Sequence, residues 1–276
     1  MSNSGDKRAI GVFDSGLGGL TVLKAISRLL PDERLIYFGD SGRTPYGTKS
    51  RETVVKYSFQ NINFLLEYDV KMIVIACNTP RACTLSALPS HYPLPIVEVI
   101  EPGARAAAAA TKNNKIGVIG TPATIQSGVY ESALRRILPD CIFYGKACPL
   151  FVPLVEEGWW DNQICRSVIA EYLGPLKDSG VDTLVLGCTH YPLLQPAIQA
   201  EMGEGVTLVN SASVVAQEVR DVLTEKGLQA PAGAGDGKHP EPLYFTSDSA
   251  VKFAELGSIF MNEVMTKVEK IDIDAR

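Results

Sequence analysis

Leu184-Val185-Leu186-Gly187-Cys188-Thr189-His190-Tyr191-Pro192 has an earlier echo in Ile73-Val74-Ile75-Ala76-Cys77-Asn78-Thr79-Pro80. Each is an apolar run, a small residue, a cysteine, two polar residues and a proline soon after. Runs that are apolar at every position suit strands covered on both faces, as in a parallel sheet between helices. Each cysteine then stands at the carboxyl end of its strand, the edge at which open α/β sheets bind ligands. Thr79 is placed to cap the helix that follows, and Pro80 suits its first turn. A helix N-terminus beside a thiol favours the thiolate, so the chain offers two similarly set thiols.

Outward from these stretches, strand, turn and helix alternate nearly throughout, which predicts an α/β fold of parallel sheets with helices on both faces. Ile10 to Phe13 reads as the first strand, followed by the tight turn Asp14-Ser15-Gly16-Leu17-Gly18-Gly19 and a helix to about Leu29. Leu35 to Phe38 is a strand, and the loop Gly39 to Gly47 is too rich in glycine and proline to be regular, which places it on the surface. A helix over Glu52 to Tyr68, the Cys77 strand and a strand over Pro95 to Ile100 complete a unit.

The pattern then restarts. A helix of small residues spans Ala104 to Ala110, and Lys115-Ile116-Gly117-Val118-Ile119-Gly120-Thr121 resembles Ala9-Ile10-Gly11-Val12-Phe13-Asp14-Ser15. Thr121-Pro122 opens a helix to about Leu138, Ile142 to Tyr144 is a short strand, and Asn162 to Leu176 is helical before the Cys188 strand. Thr207 to Val209 is a strand, Ser211 caps a helix to about Lys226, and the segment 227–242 is a low-complexity loop. Leu243 to Phe245 is a strand, and Ser247 caps a closing helix from about Ser249 to Lys267.

Asp14 to Cys77 and Thr121 to Cys188 are 63 and 67 positions apart, which marks an internal repeat. Two pseudo-symmetric lobes are expected, 1–99 plus 210–276 carrying Cys77 and 100–209 carrying Cys188, with a site in the cleft between them.

The 276 residues are 46% hydrophobic, enough for two small cores, and the net charge of −5 without a basic run argues against nucleic-acid binding. The first residues lack a signal-peptide core and no apolar run spans a bilayer, so no membrane is expected and the reading is cytoplasmic. The 6 cysteines are scattered without a Cys-x-x-Cys pair and read as free thiols.

A cleft with a base on each side suits removal of a proton from one face of a carbon and its return to the other. Cys77 and Cys188 are the candidate bases, with Asp14 and His190 as proton handlers around them. A cysteine after an apolar strand is by itself more often a small core residue, and it is the matched pair that favours chemistry. Cys83, Cys141, Cys148 and Cys165 lack that setting and read as structural. Asp14 also suits a helix cap. The glycines at 16, 18 and 19 resemble a phosphate loop only weakly, since position 21 is Thr21. Cys188 and His190 have no further spaced ligands to complete a zinc site.

Phe13-Asp14-Ser15-Gly16-Leu17-Gly18-Gly19-Leu20-Thr21-Val22, Pro45-Tyr46-Gly47, Ala76-Cys77-Asn78-Thr79 and Gly187-Cys188-Thr189-His190-Tyr191-Pro192-Leu193 together resemble the glutamate racemases, the cofactor-independent branch of the aspartate/glutamate racemase family, from about Ile10 to Phe260. The resemblance implies interconversion of L- and D-glutamate by a two-base mechanism without pyridoxal phosphate, any other cofactor or metal, with D-glutamate feeding peptidoglycan synthesis. It implies Cys77 and Cys188 as the acid/base pair, Asp14 and His190 as helpers, and Glu156 as a carboxylate assisting the second cysteine. It further implies substrate binding by Asp14, Ser15, Tyr46, Gly47, Asn78, Thr79, Thr121, Thr189 and His190, and a homodimer. The sequence departs from the family where Pro80-Arg81 replaces small residues, which puts a bulky charge near the site or its rim. Three other readings stay open: an aspartate or other amino-acid racemase, a thiol hydrolase using Cys188, and a two-lobed binding protein.

Overall fold

The structure, a computed structural model, describes residues 5–84, 91–231, 233 and 240–275. Along the chain it runs β1 (Ile10–Asp14), α1 (Leu20–Leu29), β2 (Leu35–Gly39), α2 (Arg51–Leu66), β3 (Met72–Ile75), α3 (Asn78–Thr84), β4 (Ile96–Glu98) and α4 (Ile100–Ala110). It continues with β5 (Lys115–Gly120), α5 (Pro122–Gln126), α6 (Val129–Ile137), β6 (Ile142–Ala147), α7 (Phe151–Glu156), α8 (Gln163–Asp178), β7 (Thr183–Gly187), α9 (Gln195–Met202) and β8 (Thr207–Asn210). It closes with α10 (Ser211–Lys226), β9 (Leu243–Thr246), α11 (Ala250–Met261) and β10 (Val268–Lys270).

The strands form two sheets, parallel throughout, in the orders β10-β9-β2-β1-β3-β4 and β6-β5-β7-β8. The four-strand order of the second sheet repeats as β2-β1-β3-β4 in the first. In each repeat the chain reverses its direction of travel between the two central strands, β1 and β3 or β5 and β7. Those strands are buried because they are apolar on both faces: Ile10, Val12 and Phe13 in β1, and Leu184, Val185 and Leu186 in β7, have no exposed surface. One continuous core joins the first sheet's inner face, through α1, α4 and α10, to the second sheet, and a second core of Phe13, Phe38, Phe64 and Phe245 covers the first sheet's other face.

Several local expectations are corrected. The strand expected over Pro95 to Ile100 ends at Glu98, whose carboxylate accepts from the amides of Ile100 and Glu101 and so starts α4 early. The single helix expected from Thr121 to Leu138 is broken by Gly128 at φ 68°, a left-handed turn that separates α5 from α6. Asn210 rather than Ser211 caps α10, and Ser249 rather than Ser247 caps α11. The closing helix stops at Met261, where Asn262 is left-handed, and the chain adds the edge strand β10. Part of the expected 227–242 loop lies outside the described residues. Among the described residues no helix is long and apolar enough to cross a membrane.

Candidate active site

The reversals between β1 and β3 and between β5 and β7 are topological switch points, where the strand ends splay and side chains can converge on a ligand. β1 delivers Asp14 and Ser15, and β3 delivers Cys77 with Asn78 and Thr79 on the first turn of α3. β5 delivers Thr121, and β7 delivers Cys188, Thr189 and His190. The loop after β2 adds Tyr46 and Gly47. All of these except Asp14 line one cavity of about 30 Å³, together with Thr44, Pro45, Val152 and Gly187. Asp14 and Glu156 stand behind the lining. The space holds about two waters, less than a five-carbon amino diacid needs.

On the first side, Ser15 Oγ lies 3.3 Å from Cys77 Sγ. Asp14 is fully buried; its Oδ2 accepts from Gly16 N at 3.0 Å, and its Oδ1 accepts from Thr189 Oγ1 across the cleft at 3.4 Å. It therefore caps the turn rather than α1, which begins at Leu20 without a side-chain cap. Burial pushes the Cys77 thiol well above its usual range, the negative charge of Asp14 adds to this, and the Ser15 contact opposes it. The thiolate expected here from the neighbouring helix is thus overridden. Thr79 also lies inside α3 instead of capping it.

On the second side no α-helix starts at the cysteine. Tyr191–Leu194 is a short 3-10 turn, and α9 follows at Gln195. Cys188 has His190 instead, with Sγ to Nδ1 at 3.9 Å, and Nε2 of the same ring lies 3.3 Å from Glu156 Oε1 in an ion-pair contact outside hydrogen-bond alignment. Burial opposes the charged imidazole, but the contacts to Cys188 and Glu156 outweigh it, and the Asp14 charge adds to them; His190 is raised to about 10. Glu156 thus meets Cys188 through His190.

Three further contacts join the lobes. Thr79 Oγ1 and Thr121 Oγ1 are 3.2 Å apart, Tyr130 donates to Asn78 Oδ1 at 2.7 Å, and Thr21 Oγ1 donates to the Thr189 carbonyl at 3.4 Å. The Tyr130 bond leaves Asn78 Nδ2 a buried donor without a hydrogen-bond partner. A buried donor left so costs about 1–3 kcal/mol, which an acceptor on a ligand would offset. Close approach also explains the glycine-rich turn. A Cβ on Gly18 would stand 2.2 Å from Thr189 Oγ1 and 2.6 Å from His190 Nδ1, so only glycine lets the first lobe meet the second here.

The loop expected on the surface is instead substantially buried: Asp40 is 0% and Tyr46 1% exposed. Tyr46 donates its hydroxyl to Asp40 and accepts from Asn61 Nδ2, so its phenol is committed to the protein, and only its ring and backbone are left for a ligand. Arg81 pairs with Glu98, Nε to Oε2 at 3.3 Å, and does not line the cavity, so the charge expected at the rim belongs to the α3–α4 junction. Sequence reasoning missed Tyr130, Asp40 and Val152. Tyr130 acts through a partner distant in the chain, Asp40 sits in a loop whose glycines and prolines suggest exposure, and Val152 looks like any core residue of a short helix.

The sequence matches the Asp/Glu/Hydantoin racemase family over residues 10–219. It is 48% identical to a glutamate racemase of Geobacter metallireducens, covering 97% of this chain and 98% of that protein. It is 46% identical to one of Neisseria meningitidis serogroup A, over 99% of this chain and 100% of that one. A crystal structure of glutamate racemase from Francisella tularensis in complex with D-glutamate superposes with a TM-score of 0.89 at 36% identity, covering 98% of this chain and 100% of that one.

Proposed function

This chain belongs to the Asp/Glu/hydantoin racemase family, and from that membership we propose that it is an isomerase interconverting L- and D-glutamate, with Cys77 and Cys188 as the two bases and no cofactor. The observation that carries the two-base reading is that equivalent strand ends of a repeated fold place both cysteines on the wall of one cavity. One thiolate removes the α-proton from its face of the carbon, and the opposite thiol returns a proton to the other face; reversal exchanges the roles. Asp14 serves the Cys77 side, and His190, held by Glu156, serves the Cys188 side.

Among the described residues, no lysine or arginine lines the cavity. The substrate carboxylates and the developing carbanion would be held by charged His190 and by the neutral donors of Ser15, Asn78, Thr79, Thr121 and Thr189, with the backbone of Tyr46 and Gly47. Closure of the lobes 1–99 plus 210–276 and 100–209 would exclude water from a carbanion that no cofactor delocalises. The setting that fits this activity is a cytoplasmic homodimer supplying D-glutamate for peptidoglycan.

The test is circular dichroism of L-glutamate, D-glutamate and both aspartate enantiomers with the purified protein and no added cofactor. Loss of signal from both glutamate enantiomers is the expected result. Turnover of aspartate alone would move the substrate assignment to a sister activity of the family, and silence with both would defeat the racemase reading.

A further inference from the structure

Tyr46 and Gly47 form one wall of the cavity, yet they sit on a loop without strand or α-helix. What holds that loop is Arg43. Its Nε donates to Asp40 Oδ1 and Oδ2 at 3.0 and 2.8 Å, and its Nη2 donates to Asn61 Oδ1 at 3.0 Å and lies 2.7 Å from Asp40 Oδ2. Its Nη1 donates to Gln60 Oε1 at 2.7 Å and to Asp274 Oδ1 at 3.1 Å. The fork's five N–H groups thus meet four residues. The guanidinium carbon also sits 4.0 Å from the centroid of the Tyr57 ring, which packs in turn on the Tyr46 ring.

These partners come from three parts of the chain. Tyr57, Gln60 and Asn61 lie on one face of α2, at the i, i+3 and i+4 spacing that helical neighbours share. Asp40 follows β2. Asp274 belongs to the C-terminal tail, anchored by buried Ile271 and Ile273. Asp40 also accepts from Ser247 Oγ at 2.7 Å, beyond the end of β9, and from the Tyr46 hydroxyl. A carboxylate this buried requires a partner, but charge balance alone would need one cation and no fork. The extra bonds to Gln60, Asn61 and Asp274 fix orientation as well as charge.

We propose that Arg43 is a positioning residue for the reaction: with Asp40 it locks the Pro45-Tyr46-Gly47 segment onto α2 and the C-terminal tail, so that substrate meets a preformed wall. The inference rests on the glutamate racemase reading and goes beyond it, because Arg43 lies outside the cavity lining. Lysine in its place keeps a charge for Asp40 but has a point-like ammonium without the planar fork.

The experiment measures kcat, KM for both glutamate enantiomers and the melting temperature of wild type, Arg43→Lys, Gln60→Ala and the double variant. A loosened wall weakens binding of substrate and transition state alike, so Arg43→Lys should raise both KM values about tenfold while kcat changes less than about threefold. Gln60→Ala removes one neutral partner and should raise KM about threefold; it keeps the inference open to refutation if Arg43→Lys does not fold. The double variant should fall short of the product of the single effects, as for residues acting through one network. Lower melting temperatures with unchanged KM in both single variants would show a purely structural role and overturn the inference. A wild type that is inert toward glutamate would instead remove the reading beneath it.

Discussion

The two halves of the site share a backbone plan and differ in electrostatics. Cys77 and Cys188 both follow the third strand of a four-strand repeat, yet Cys77 is backed by a carboxylate, Asp14, and Cys188 by an imidazole raised to about 10. Burial and the Asp14 charge favour the protonated thiol on the first side, while His190 presents positive charge to the second. A two-base exchange needs one base loaded and one empty at the start of each turnover, and two identical half-sites would not distinguish them. In the proposed reaction the repeated fold would supply the placement on two faces, and Asp14 at the end of the first strand and His190 two residues beyond the second cysteine would supply the difference.

The largest test of that comparison removes one side at a time. Cys77→Ser and Cys188→Ser should each lower racemisation by about 10³-fold or more, at the upper end of what a positioned acid/base group contributes. Circular dichroism of folded, purified variants checks this, and retention of near-normal turnover in either would break the equivalence of the two sides. Next in size is the contact between them. Gly18→Ala places a methyl group against Thr189 and His190; holding the lobes apart by about 1 Å should cost about 100-fold in kcat/KM. Small-angle scattering with saturating glutamate should give a larger radius of gyration for the variant than for wild type.

The asymmetry itself is sharpened by pH. The folded state holds the His190 proton up to about 10, above the ordinary 6.5. The stability from this charge is therefore full below about 6.5 and is lost as pH rises through about 10. Melting temperature should fall over that window in wild type and less in His190→Asn; parallel curves would show that His190 carries no such proton. Glu156→Gln should move the same alkaline limb to lower pH, because it removes one of the contacts that raise His190. The smallest effect belongs to the latch: Thr121→Val deletes one hydrogen bond between lobes and the side-chain cap of α5, each worth about 1 kcal/mol, and should raise KM about fivefold.

Much of this architecture is legible in the residues alone. Apolar runs such as Ile73 to Ile75 and Leu184 to Leu186 suit strands covered on both faces, and the spacing of their cysteines reveals the repeat. The matching motifs bring Asp14, Ser15, Asn78, Thr79, Thr121, Thr189 and His190 to the same cleft. What is not legible depends on contacts far apart in sequence. Asp40 and Tyr46 lie in a loop whose glycines and prolines suggest exposure, and they are buried because α2, Ser247 and the tail close over them. Edge strand β10 is three residues long with two of them exposed, so no periodicity marks it. The role of Gly18 is steric and appears only when Thr189 is placed opposite.

The central claim, that Cys77 and Cys188 work from opposite faces of one carbon, is tested most directly by deuterium wash-in at the α-carbon of L- and D-glutamate in heavy water. Wild type should label both enantiomers. Cys77→Ser and Cys188→Ser should each abolish racemisation, and any exchange that survives should be confined to one enantiomer, a different one in each variant. Labelling of both enantiomers by either variant would contradict the two-base account and place the proton transfers on a single group.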